Sequence, residues 1–511
     1  MTDAAAGPTS ATSKSGPVRT PRLLVLPALA LLASPLLALP SGAATAAAPS
    51  YREYPSPVGA DVSVGLPVPP AVGALPFVPD QQHGLADRAG EPTIGINPRT
   101  GAVMFQAKQQ TVRVSGFDTH GSGTSVWQDA TQPVEGLQTS DPMIYTDPDT
   151  GRTFVNQLEA QGCSLQAFTD DDGKTYTQSA LGCGPGIAFD HQSIVAGRKT
   201  EGSLRPSPVD YPNYLYYCTN DVAAADCATS IDGGLTFLPA TPVYNDADSG
   251  CSTLFGHLKT DPKGTLYLPP DGCGKAQGVY VSEDNALTWR YSPIPRSTPS
   301  ADAGHPSIAA GKDGTVYFAY GSNDGGPSGR IHVDISTDKG KSWGRDVPLG
   351  GDLGIAVARF PVVVAGDGDR AVVGFLGSTT EGDGNALKFG GTWRLYLAHT
   401  YDRGRSWKTY DATPGSPIQV GPVCTDGTVA CLGGSGGGLP VPVGLSSPTR
   451  NLLDFIDMDL DLRTGRVVVG LADGCLKVKG CTTKDRLDKG LIVRQVGGTP
   501  LLRSPLRRPA S

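Results

Sequence analysis

Seven residues at matching places in a repeated stretch of sequence are the first candidates for chemistry. Glu91, Asp141, His191 and His305 open four copies of the repeat, and Phe255, Phe360 and Phe455 open the other three. His257 follows Phe255 by two residues, so strand alternation puts both on one side. Arg88 and Arg359 stand just ahead of two copies. If the repeats surround an axis, two carboxylates, three imidazoles and two arginines converge on one channel, a candidate central binding site. The competing reading is that these residues cap strand ends with hydrogen bonds.

A second cluster is Asp457, Asp459 and Asp461, alternating with Met458, Leu460 and Leu462. In a strand the three carboxylates share a face, and their repulsion must be offset by a cation, backbone donors or water. Asp461 matches the turn Asn or Asp of other copies, which is a structural role. A bound calcium is one reading of Asp457 and Asp459, and no other cofactor is expected. Asp170, Asp171 and Asp172 lack the spacing and the terminal Glu of an EF-hand loop.

The elements that would position these groups are short strands. From His305 to Val347 the chain has three apolar runs, Ile308 to Ala310, Val316 to Tyr320 and Ile331 to Ile335, separated by Gly-containing turns. A fourth strand is predicted after Trp343. Such a four-stranded antiparallel unit cannot bury both faces alone and needs neighbours. The opening hairpin recurs from Glu91, Asp141, His191, Phe255, His305, Phe360 and Phe455, at intervals of 50, 50, 64, 50, 55 and 95 residues. The expected fold is therefore all-β, a seven-bladed β-propeller, with six blades as the alternative.

A second marker sits at a fixed phase in repeats two to six. It reads Thr169-Asp171-Gly173-Thr175-Tyr176, Ser230-Asp232-Gly234-Thr236-Phe237, Ser282-Asp284-Ala286-Thr288-Trp289, Ser336-Asp338-Gly340-Ser342-Trp343 and Thr400-Asp402-Gly404-Ser406-Trp407. A short Asp can accept backbone N–H groups across a tight turn, and Gly permits a positive φ. The aromatic ring can bury area between blades. Asp171, Asp232, Asp284, Asp338 and Asp402 are therefore expected to be structural.

These turns resemble the Asp-boxes, or bacterial neuraminidase repeats, of the sialidase superfamily, over about residues 83–496. The resemblance implies a propeller with the boxes on its perimeter. It also implies exo-sialidase chemistry: an arginine cluster for a carboxylate, a Tyr nucleophile activated by Glu, and an Asp acid/base. The match to that machinery is loose. Arg359-Phe360-Pro361 keeps Arg-x-Pro but in repeat six, Ala89-Gly90-Glu91 separate Arg88 from Pro92, no Tyr follows Tyr410, and Arg494 sits in a closing strand. Seven repeats also depart from the six blades of sialidases proper.

Composition bounds the rest. The chain has 511 residues, 67 Gly, 44 Pro, 18% charged residues and a net charge of −7. Short strands and tight turns fit that usage; no basic face suggests nucleic acid. Residues 1–48 read as a signal peptide, with Lys14, Arg19 and Arg22 before an apolar run and Ala44-Thr45-Ala46 as the cleavage site. After its removal no membrane span is expected, and the protein is expected to be secreted and monomeric. Residues 49–82 are a Pro-rich lead-in, of which Val58 to Val64 could close the last blade. Residues 83–496 form the propeller, and residues 497–511 a basic, flexible tail. The ten cysteines form sequential neighbours, expected as the disulfides Cys163/Cys183, Cys218/Cys227, Cys251/Cys273, Cys424/Cys431 and Cys475/Cys481. Three functions compete: a non-catalytic module binding a glycan or an extracellular protein, an exo-sialidase-type hydrolase, and a structural cell-envelope protein.

Overall fold

The computed structural model describes residues 46–57, 85–108, 110–118, 123–132, 139–159, 163–180, 190–221, 223–299, 303–323, 329–425, 450–476, 481 and 488–506. They form a seven-bladed β-propeller of four-stranded antiparallel blades. The inner strands are Thr93–Ile96, Thr139–Thr146, Asp190–Gly197, Lys259–Thr260, Ser307–Ala310, Val357–Ala365 and Asp457–Asp461. Each pairs with the next strand in the chain, as the hairpin repeat predicts. Among the described residues helix includes one turn at Asp246–Ser249 and a 3-10 turn at Gly351–Leu353.

The ring is closed by the N-terminal part of the chain. Ser50–Pro55 is the outermost strand of blade 7, with Tyr51 opposite Gln495 and Pro55 opposite Leu491. The closing strand is thus Ser50–Pro55. Val58 to Val64 lies outside the described residues.

The apolar core lies in the seams between blades. Tyr267 and Val281 of blade 4 pack with Phe318 and Tyr320 of blade 5. Nearer the axis, polar side chains tie neighbouring inner strands together. Thr93 accepts the Ile144 N–H at 2.7 Å, Ser193 that of Leu258 at 2.8 Å, Ser307 that of Val363 at 3.1 Å, and Asp457 that of Ile94 at 2.9 Å. These bonds join blades 1–2, 3–4, 5–6 and 7–1.

Three of the expected disulfides are present: Cys218–Cys227, Cys251–Cys273 and Cys475–Cys481. Cys424 is also disulfide-bonded. Cys183 and Cys431, and the side chain of Cys163, lie outside the described residues. The tail expected to be flexible is docked as far as Leu506. Leu501 and Leu502 are buried, and N–H groups of Leu501 and Leu506 reach Gly465 O at 2.7 Å and Leu462 O at 2.8 Å. Two leucines flanked by prolines supply an apolar anchor that the basic character of the tail conceals.

Candidate functional site

Antiparallel order puts the starts of the inner strands, the loops between second and third strands, and the connections between blades at one end of the propeller. The three described disulfides staple loops at this end, which is the mouth of the axis. Several inner strands begin with a distorted backbone. Glu91, His191 and Phe360 have φ of 54°, 46° and 58°. Register shifts fall between Thr139 and Pro142, Asp190 and Gln192, and Arg359 and Val362. Left-handed non-glycine residues cost roughly 1–3 kcal/mol each, and a bulge re-aims a side chain.

At the mouth, His191, His257 and His305 come together with Phe255 and Phe455 around a cavity of about 20 Å³. The His191 and His305 rings meet edge to face with centroids 4.0 Å apart, and His257 meets Phe455 in the same way at 4.7 Å. His305 Nδ1 lies 2.7 Å from both carboxylate oxygens of Asp271. Asp271 stands on a loop held by the Cys251–Cys273 bridge, and its N–H donates to Leu254 O at 2.9 Å. A carboxylate on one ring nitrogen sets the tautomer and orientation of the other. Burial, followed by the positive fields of Lys259, His191 and His305, pushes His257 well below the ordinary histidine range. His257 is a neutral imidazole at pH 7.

One level deeper, Lys259 shares the face of His257, and its charge favours ionised Asp457 and Asp459. Burial works the other way and raises both carboxyls, Asp459 to about 6. Their oxygens are spent on the seam between blades 7 and 1. Asp457 accepts N–H groups of Ile94 and Met458, both at 2.9 Å, and Asp459 those of Ile96 at 3.1 Å and Leu460 at 2.7 Å. Asp461 is fully buried and paired with Arg494 at 3.0 Å and Arg463 at 3.3 Å. Backbone donors and arginines therefore offset the repulsion within this triad. Among the described residues no group of three His, Cys, Asp or Glu side chains is placed to hold a metal ion.

The remaining candidates lie in different surroundings. Glu91 is buried beside Lys108, and Arg88 is half-buried between Lys108 and Asp488. Burial first, and Arg88 second, lower the Lys108 pKa, while Asp488 and Glu91 oppose them. Arg359 is fully buried, donates to Ala358 O at 3.0 Å and stands 5.8 Å from the Trp393 ring centroid. Arg494 lies over Phe117 at 4.2 Å. The three arginines thus serve three separate neighbourhoods. Asp141 falls in the first strand of blade 2, and its side chain lies outside the described residues.

All five turn aspartates bond within their own turns. Asp338 accepts Ser336 Oγ at 2.8 Å, Ser342 N at 2.8 Å and Ser342 Oγ at 2.5 Å. Asp171, Asp232, Asp284 and Asp402 repeat the pattern. Sequence reasoning missed Asp271, Lys108, Asp488 and Lys259. Lys259 was within reach of the alternation that found His257; the others sit on loops with no periodic signal.

No family model and no curated relative matches the chain. Similar folds occur among solved structures. One is a protein of unknown function from Dyadobacter fermentans, at 11% identity and a TM-score of 0.39, covering 81% of this chain and 96% of that one. Another is an ancestral GH74 enzyme, at 15% identity and 0.40, covering 64% of this chain and 39% of that one. A third is a lectin from Aleuria aurantia in complex with Fucα1-6GlcNAc, at 11% identity and 0.37, covering 66% and 97%.

Proposed function

We propose that the chain is a secreted, monomeric, non-catalytic propeller that binds a glycan or an extracellular protein. The observation that carries this reading is the filled axis. A cavity of about 20 Å³ behind His191, His257, His305, Phe255 and Phe455 holds about one water, whereas ligand pockets run to about 300–1,000 Å³. A substrate ring has no room beside these groups. The disulfides support export to an oxidising compartment. They also pre-organise mouth-side loops, which lowers the entropy lost when a partner binds.

An exo-sialidase-type hydrolase is the second reading, favoured by the five Asp-containing turns. The separate surroundings of Arg88, Arg359 and Arg494 weigh against it. A structural envelope protein is the third. A fluorogenic sialoside assay across about pH 4–8, where carboxylate and histidine catalysts titrate, is expected to show no turnover, and a glycan array to show binding. Turnover lost in Arg88→Ala and Arg359→Ala would overturn the non-catalytic reading. An array with no bound glycan would move the assignment to a protein partner or a structural role.

A further inference from the structure

At the opposite end of the propeller, blades 5 and 6 border an open recess of about 750 Å³, within the range of ligand sites (about 300–1,000 Å³). Two first-hairpin turns, the Asp402 turn and the C-terminal segment form its walls. Docking of that segment completes the wall. The Asp367 N–H reaches Leu501 O at 3.0 Å, and the Arg503 N–H reaches Asp367 Oδ2 at 2.7 Å. The Arg503 guanidinium then forks onto Asp369, with Nη1 2.7 Å from Oδ1.

Most charges in the recess are committed to one another. Arg403 pairs with Asp313 at 2.6 Å. Asp402 is occupied by Thr400 Oγ1 at 2.9 Å, Ser406 N at 2.9 Å and Ser406 Oγ at 2.6 Å. Arg405 donates its Nε to Asp402 O at 3.0 Å. Lys312 and Arg405 are exposed, and among the described residues neither forms an ion pair. The recess thus offers two exposed cations outside any ion pair among the described residues, Arg405 also facing the Asp402 carboxylate, beside fixed carboxylates that can accept hydroxyl hydrogen bonds. None of its lining residues is aromatic, so a neutral sugar would find no stacking platform.

We propose that this recess binds an anionic oligosaccharide, its carboxylate or sulfate groups held by Lys312 and Arg405 and its hydroxyls by the carboxylate wall. The proposal rests on the glycan-binding reading and gives it a ligand class and a place. The net charge of −7 makes diffuse capture of polyanions unfavourable, so binding of this kind is local.

The test is isothermal titration calorimetry on the full chain with oligogalacturonate, a heparin-derived tetrasaccharide and cellotetraose. One or both anionic probes are expected to bind, more weakly as salt rises, and cellotetraose is not. The exposed double variant Lys312→Ala/Arg405→Ala is expected to lose tenfold or more in affinity while keeping its unfolding midpoint. A preference for one anionic probe identifies the acid group. Anionic binding unchanged in the double variant overturns the recess assignment and leaves glycan binding standing. Failure of both anionic probes, alongside a neutral ligand on the array, does the same. Silence in both experiments overturns the recess proposal together with the glycan-binding reading, and leaves a protein partner or a structural role.

Discussion

Asp338 shows how little of a propeller's acidic sequence is available for chemistry. Bonds from Ser342 Oγ and Ser342 N hold its carboxyl down to about 2. The folded state therefore prefers the ionised form. The resulting stability is present above the ordinary carboxylate range and is lost as pH falls towards 2. Asp338→Ala is expected to cost about 1–2 kcal/mol at pH 7, the scale of a few lost turn hydrogen bonds, with a smaller difference near pH 2. Urea denaturation at the two pH values checks this; equal losses at both would remove ionisation from the explanation. The turn chemistry was legible because every participant lies within six residues of Asp338. The His305–Asp271 pair was not, because its members stand on different blades and only one of them begins a repeat.

Elements are held by seams, and the seam between blades 4 and 5 contains a titratable group, Asp334. Val333 and Ile331 of the third strand of blade 5 pack towards blade 6, so alternation turns Asp334 towards blade 4. Asp334 is fully buried, facing Asp346, His332, Tyr320 and Arg296. Burial first and Asp346 second push its carboxyl up to about 7, against the opposing pull of His332. A raised carboxyl contributes stability that is fully present below its unfolded value and is lost as pH rises through about 7. Asp334→Asn keeps the shape and removes the charge. It is expected to be more stable than the parent by about 2 kcal/mol at pH 8, with the gain shrinking at pH 5. Melting curves with parallel pH dependence in both proteins would exclude Asp334 as the source. Strand alternation in the sequence shows which residues share a face, but which blade that face meets depends on the order of the ring.

At the scale of the molecule, stability depends on the closing strand. Tyr54 is fully buried, meets Phe117 edge to face at 5.0 Å and donates to Asp118 O at 2.7 Å. Tyr54→Ala is expected to cost about 3–5 kcal/mol, as for other buried aromatic truncations, and Tyr54→Phe about 1 kcal/mol for the hydrogen bond. Denaturation midpoints of the two variants distinguish the contributions. A Tyr54→Ala midpoint equal to that of the parent would show that the ring does not depend on this closure.

The sequence by itself determined the repeat, the number of blades, the Asp-centred turns and three disulfides seen in the fold. All of these rest on short-range hydrogen bonding, alternation and spacing, which are local properties of the chain. Tertiary structure alone decided the rest. It chose Ser50–Pro55 as the closing strand, because pairing with the last blade needs the whole ring in place. It turned Arg359 towards Trp393 and closed the axis with rings from four blades. It also anchored Leu501 and Leu502, so that a basic tail became the wall of a recess. Each of these outcomes depends on which distant surfaces meet, and no local pattern in the chain specifies that.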